Sequence, residues 1–268
     1  MSLAMPSVVQ LTYNPVLGGI LASTCFALAS SIYLLCLRRL RNASLRSLIP
    51  SSGTDVAVVC PGGSKNSRAH GKASMTSEEA MALAEVLQCV GALNKRPGVY
   101  SCSETVRQSG VVSLGGLQNA FTKTLLDKFC PGLEIRPPET RGEDVQIRLG
   151  SESITPSQEG SIAFIIYLTG GRTGCENPAL LIFGQYGIDT VAAARYVRMR
   201  AKQLYYDFRG RDFAVRLDTH PALGYQGFPK LHKNISAEVF ADPALRSRGW
   251  RVVLRWHKVE RRLRALVS

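Results

Sequence analysis

The sequence predicts an α/β domain with a mainly parallel, Rossmann-like sheet, helices on both faces and an antiparallel extension, preceded by one transmembrane helix. Three observations predict it. Short Val/Ile/Leu-rich runs end in glycine pairs and are followed by helix-forming stretches, a strand–glycine–helix order that recurs three times. The hydrophobic content of 45% with 20% charged residues suits a chain folded around a core. Ahead of these units, Val16 to Leu37 contains no charged residue. A length of 268 residues accommodates such an appendage plus one compact domain of about 200 residues.

The N-terminal region, 1–41, contains the membrane segment at about 16–37. As a helix rising about 1.5 Å per residue, this run matches a hydrocarbon core of about 30 Å. A cleaved signal would carry basic residues before a shorter apolar stretch. Here Arg38, Arg39, Arg41 and Arg46 come after it. A buried core helix would show a polar face, and none is evident. The arginines place the N-terminus outside and the C-terminal domain in the cytosol. Cytosolic thiols stay reduced, and Cys36 lies at the edge of the segment, where S-acylation would act. Two sequons, at Asn42 and Asn234, would report on a lumenal orientation.

Residues 42–54 read as a polar tether, and 55–268 as the cytosolic domain with a basic tail. Asp55–Cys60 (DVAVVC) is a buried strand running into Pro61-Gly62-Gly63. Thr76 and Glu79 form a capping box for a helix with an apolar stripe reaching about Leu93. Gly110–Leu114 is the second strand, Gly115-Gly116 its turn, and Asn119–Phe129 a helix. A strand at Val145–Leu149 and the apolar Ser161–Leu168 predict an antiparallel hairpin added to the sheet. Ala179–Phe183 enters Gly184-Gln185-Tyr186-Gly187, and a long helix runs from about Asp189 to Tyr206. Phe213–Leu217 and Val252–Trp256 complete the strands.

The formal net charge of +13 is unevenly placed. Residues 244–268 hold eight Lys/Arg against Glu260, while 47–243 hold 21 Lys/Arg against 19 Asp/Glu, a net of only +2. A nearly neutral body argues against nucleic acid as the main partner. The expected partners are membrane lipid, through the anchor and the basic tail, and a second copy through small residues of the apolar run.

In parallel sheets, ligands sit where glycine loops leave the carboxyl ends of strands and helix N-termini point outward. Gly115, Gly116 and Asn119, with Lys123 one turn on, would supply one half of such a pocket. Gly184, Gly187, Asp189 and Thr190 would supply the other. For Asn119, Asp189 and Thr190, helix capping is the competing role. No nucleophile motif, dinucleotide fingerprint or Cys/His ladder is found, so neither a cofactor nor a metal is expected.

The stretches VVSLGGLQNAFTKTLL and CENPALLIFGQYGIDTVAAARYV resemble a largely uncharacterised bacterial α/β module. Its pattern is a strand with G-G-x-x-N, then N-P, a strand and G-x-x-G-x-x-T. The resemblance covers roughly 110–200 and implicates Gly115, Gly116, Asn119, Asn177, Pro178, Gly184, Gly187, Thr190 and Arg195. It implies a sensing or regulatory role. The chain departs from the pattern at Gln185-Tyr186 and Asp189. The resulting expectation is a membrane-anchored sensor or effector binding a small anionic ligand such as a nucleotide. A tethered nucleotide- or sugar-processing enzyme, using Asp189, Glu176 or Asp218 as base, is one alternative. An adaptor that binds lipid or nucleic acid through its tail is the other.

Overall fold

The computed structural model describes residues 15–51, 53–61, 75–101, 110–116, 119–136, 145–154, 160–169, 177–219 and 230–241. Residues 62–74, the candidate base Glu176 and the expected tail strand at 252–256 therefore lie outside the described residues. Contacts divide the chain into two units, Met1–Ser44 and Leu45–Ser268.

The first unit holds most of helix α1 (Pro15–Leu48). From Gly19 to Leu37 its side chains are almost wholly exposed, including Phe26, Ile32, Tyr33 and Leu34. It is long and apolar enough to cross a membrane. Two of its hydroxyls are satisfied within the helix, as a bilayer requires of polar groups: Ser23 Oγ donates to the Gly19 carbonyl at 2.8 Å and Thr24 Oγ1 to that of Ile20 at 2.5 Å.

The second unit is an α/β domain. Its main sheet contains β1 (Asp55–Cys60), β2 (Arg96–Ser101), β3 (Val111–Leu114), β7 (Ser161–Leu168), β8 (Ala179–Gly184), β9 (Phe213–Thr219) and β10 (Lys230–Asn234). The order is β10-β9-β7-β8-β3-β1-β2. Strands β2, β1, β3 and β8 run parallel, with Val58 beside Val112 and Leu114 beside Ile182. β7 is antiparallel to both neighbours, and β10 to β9. A second sheet of β4 (Leu133–Arg136), β5 (Gln146–Leu149) and β6 (Glu152–Ile154) is antiparallel.

Period-2 alternation divides the side chains of the interior strands between two main cores, with Ala57, Val59 and Val111 in a third, smaller cluster. Val58, Ile165 and Ile182 join the core that also contains Val86 and Val90 of α2 (Ser77–Ala92) and Ala193, Val197 and Leu204 of α4 (Gly187–Phe208). Phe164, Ile166, Leu181 and Phe183 join the opposite core with Leu126 of α3 (Ala120–Phe129) and Ile147 and Leu149 of β5. The short α5 (Ser236–Val239) adds Val239 to this second core. An Arg198–Glu85 ion pair ties α4 to α2.

Two sequence expectations are corrected. The predicted hairpin of Val145–Leu149 with Ser161–Leu168 does not form. All eight residues of β7 are buried, which an interior strand between β8 and β9 accommodates. Gln146–Leu149 instead alternates exposed and buried, as suits a sheet with one covered face, and it pairs with β4 and β6. The other correction concerns 42–54, read as a tether. Helix α1 continues to Leu48, and Leu45, Leu48 and Ile49 belong to the first core. Pro50 and Ser51 lie against Gly110 so closely that a Cβ there would meet the Ser51 nitrogen at 2.7 Å. Lys95 Nζ adds bonds of 2.5 Å to Ser51 Oγ and 2.7 Å to the Gly53 carbonyl. β2 escaped the sequence reading because RPGVYS has no apolar run; its Pro97 fits an edge strand.

If 45–50 is core and not linker, Leu48→Ala destabilises the domain by about 2–5 kcal/mol, the range for emptying a buried leucine site. Denaturant unfolding of the full chain in detergent measures this, and a change below about 0.5 kcal/mol would restore the tether reading.

Candidate functional site

The strand order places a topological switch between β1 and β3. The chain leaves β1 toward β2 on one side, and β3 faces β8 on the other. The carboxyl ends of β1, β3 and β8 point the same way, and the crevice outside such ends is where open α/β sheets bind ligands. A cavity of about 670 Å³ lies there, within the range of small-molecule sites.

Three loops and two walls form it. Pro61 follows β1; Gly115 and Gly116 follow β3; Gly184 to Ile188 join β8 to α4. Thr76, Glu78 and Glu79 bring the first turn of α2 to one side. Ile135, Val145 and Ile147 from the small sheet, with Phe183, form an apolar wall opposite. Thus Gly115, Gly116, Gly184, Gly187 and Thr190, singled out in sequence as two separate loops, meet around one hollow.

The glycines are needed for different reasons. Gly115 has φ of +81°, the left-handed region that side chains disfavour, and a Cβ would sit 2.7 Å from Pro61 Cγ. Gly184 is crossed by the start of α4: a Cβ there would lie 2.2 Å from Asp189 Cβ and 2.9 Å from the Thr190 nitrogen. Backbone on that side cannot yield, so even alanine would push the helix from the strand. Gly116, by contrast, has room for a Cβ 3.4 Å from Phe183.

Asn119, Asp189 and Lys123 are placed differently from the glycines. The Asn119 side chain is fully buried. Its Oδ1 accepts from the Phe121 and Thr122 amides at 3.1 and 3.2 Å, capping α3, and its Nδ2 donates to the Leu114 carbonyl at 2.7 Å and Ser113 Oγ at 3.0 Å. Its capacity is spent on stitching β3 to α3. Asp189 is 1% exposed. Its Oδ1 accepts from Ser161 Oγ at 2.6 Å and Thr219 Oγ1 at 2.7 Å, and its Oδ2 from the Tyr186 amide at 2.9 Å. The structure makes Tyr186, not Asp189 or Thr190, the N-cap of α4. Thr190 Oγ1 instead accepts from the Gly184 amide at 3.0 Å. Lys123 opens on a small dimple that shares Gly116 and Ile135 with the cavity.

Burial raises the Asp189 pKa, with the Ser161 and Thr219 hydroxyls and the Tyr186 amide pulling it back. Burial, aided by the Glu79 charge, pushes the Cys60 thiol up to about 11, so this cysteine beside the β1 loop is no nucleophile at neutral pH. Asp218 pairs with Arg216 at 3.7 Å and does not line the cavity. Among the described residues no group of three or more His, Cys, Asp or Glu is placed to hold a metal.

Glu78, Glu79, Gln185 and Tyr186 are among the lining residues that the sequence did not assign to the site. Glu78 and Glu79 were visible only as the opening of a helix, and both approach the cavity because α2 starts beside Gly187; the Glu78 side chain is what a Cβ at Gly187 would touch, at 2.8 Å. Tyr186 and Gln185 stand inside the second glycine loop. The Gln185 backbone amide donates to the Ile162 carbonyl at 3.0 Å. Its side-chain Nε2 and Oε1 are both sealed from solvent and have no hydrogen-bond partner among the described residues. Leaving a buried polar group unpaired costs about 1–3 kcal/mol.

Compared with family models, curated proteins and solved structures, the chain matches none. The class that the fold defines is a mostly parallel seven-stranded α/β domain behind one long apolar helix. Any functional assignment therefore rests on the geometry above.

The Asp189 cluster makes a pH prediction. A raised folded-state pKa means that the native state holds this proton more tightly than the unfolded chain. The associated stability is present below about pH 3.9 and is lost as pH rises through the folded pKa. Asp189→Asn removes that titration while its amide oxygen can still accept from the Tyr186 N–H. The stability of wild type relative to Asp189→Asn should rise as pH falls from 7 toward 4 in thermal unfolding. A gap independent of pH would contradict the buried-carboxylate assignment.

Proposed function

We propose that this chain is a single-pass membrane protein whose cytosolic α/β domain binds a small ligand carrying one anionic group, with nucleotides as the leading class, and works as a sensor or effector. The observation that carries the reading is the convergence of the β3 and β8 glycine loops and the α4 N-terminus on one cavity at the switch point. Backbone N–H groups of such loops and of a helix's first turn attract negative charge. The arginines that follow the apolar run support the cytosolic orientation.

The lining also limits the ligand's charge. Glu78 and Glu79 contribute two carboxylates, and no Lys or Arg lines the cavity among the described residues. Against these two carboxylates a triphosphate meets more like charge than a phosphodiester or carboxylate, for which the loop amides suffice. The apolar wall of Ile135, Val145, Ile147 and Phe183 suits a planar body. The enzyme alternative has less support, since Asp189 is locked by hydroxyls and Asp218 lies elsewhere.

Calorimetric titration of the full chain in nanodiscs tests this. Cyclic AMP should bind at least tenfold more tightly than ATP, and Gly116→Val, whose branches would fill the cavity, should weaken binding at least tenfold. Absence of heat with either nucleotide, or an affinity indifferent to Gly116→Val, would contradict the proposal.

A further inference from the structure

The side-chain amide of Gln185 bonds to no other group among the described residues. Asn119, the comparable amide of the first loop, places its donor and acceptor on backbone and hydroxyl partners. Gln185 lines the cavity, yet Nε2 and Oε1 are unpartnered among the described residues and shut off from water. Its backbone is fixed by the bond to Ile162 and by the Gly184–Asp189 crossing beside it, so only its side-chain torsions are free to change. An amide left with both functions unsatisfied gains most from a partner presenting an acceptor and a donor side by side.

We infer that Gln185 is the specificity residue of this cavity, turning inward to read a ligand edge that pairs a hydrogen-bond donor with an acceptor, as a nucleobase or a primary carboxamide does. This rests on the small-ligand reading above and names the chemistry at the end of the ligand away from its anionic group. Glutamine reads adenine in this bidentate manner elsewhere. A site with buried polar groups rejects analogues that leave those groups unpaired far more strongly than an apolar pocket rejects a missing methylene. Arg195, whose Nε is likewise buried, does not line the cavity, and Glu79 is committed to its capping box. Among the described lining side chains, Gln185 is thus a buried amide with both functions unpaired.

The test uses the full chain in nanodiscs with two probe pairs, each differing by one donor. The first is cyclic AMP against the cyclic monophosphate of purine riboside, which lacks the exocyclic amine. The second is nicotinamide mononucleotide against its acetylpyridine analogue, which lacks the carboxamide nitrogen. A preference of tenfold or more within the first pair identifies a nucleobase edge, and within the second a carboxamide. Gln185→Leu should abolish that preference. It should also raise the melting temperature of the ligand-free protein by about 2–4 °C, because the unpaired amide is removed. Equal binding within both pairs, a preference that survives Gln185→Leu, or a lowered melting temperature would overturn the Gln185 role while leaving the cavity reading standing. If none of the four probes binds, the cavity reading and this inference fall together.

Discussion

The crossing of Gly184 by the start of α4 is the constraint on which the candidate site depends. Strand β8 and helix α4 approach until no Cβ fits between Gly184 and Asp189. Asp189 holds that approach by accepting hydroxyl bonds from the first residue of β7 and the last of β9, and the amide of Tyr186. Two neighbouring strands, the loop after β8 and one helix are tied at a single carboxylate. The desolvation that raises its pKa is the cost of placing an acid there, and its three donors are what make the placement tolerable. The same loop, which carries Gln185, Tyr186 and Gly187, is also held by the Gln185 amide on the Ile162 carbonyl and by Thr190 Oγ1 on the Gly184 amide.

The β3 side is set by the same means with different chemistry. Asn119 accepts from the α3 amides and donates to the end of β3, so the Gly115-Gly116 turn stands between two elements fixed by one side chain. Both loops owe their shape to a buried polar residue that faces away from the cavity. Among the described residues the lining consists of glycines, apolar side chains, Thr76, Thr190, Tyr186, two carboxylates and Gln185, whose amide has no partner there. That composition combines amide donors with an acidic rim, which favours a ligand of low charge with a planar, hydrogen-bonding body.

Local chemistry was legible in the sequence. The Thr76–Glu79 capping box forms, with Glu79 donating its amide to Thr76 Oγ1 at 3.2 Å and accepting from the Thr76 amide at 2.9 Å. Val-rich β1 and the glycine turns after β3 and β8 stand where their residues imply. What failed was pairing, which depends on distant partners. Ser161–Leu168 reads as a strand, but nothing in its residues says that β8 and β9 flank it. Residues 42–54 look like a polar tether as a string, yet within them the spacing of Leu45, Leu48 and Ile49 puts one apolar face into the core. The cavity wall was invisible for the same reason, since Ile135 and Ile147 reach Phe183 only through the small sheet. Asn119 and Asp189 were recognisable as loop residues with polar side chains, but which way they face follows from Ser113, Ser161 and Thr219.

The central claim is that two backbone loops and one helix start form a single receptor. Amide chemical-shift mapping of the labelled full chain, titrated with cyclic AMP, addresses it most directly. The account predicts that Gly115, Gly116, Gly187 and Ile188 shift together along one saturation curve while β10 stays unmoved. Shifts confined to one loop, or separate curves for the β3 and β8 loops, would contradict it.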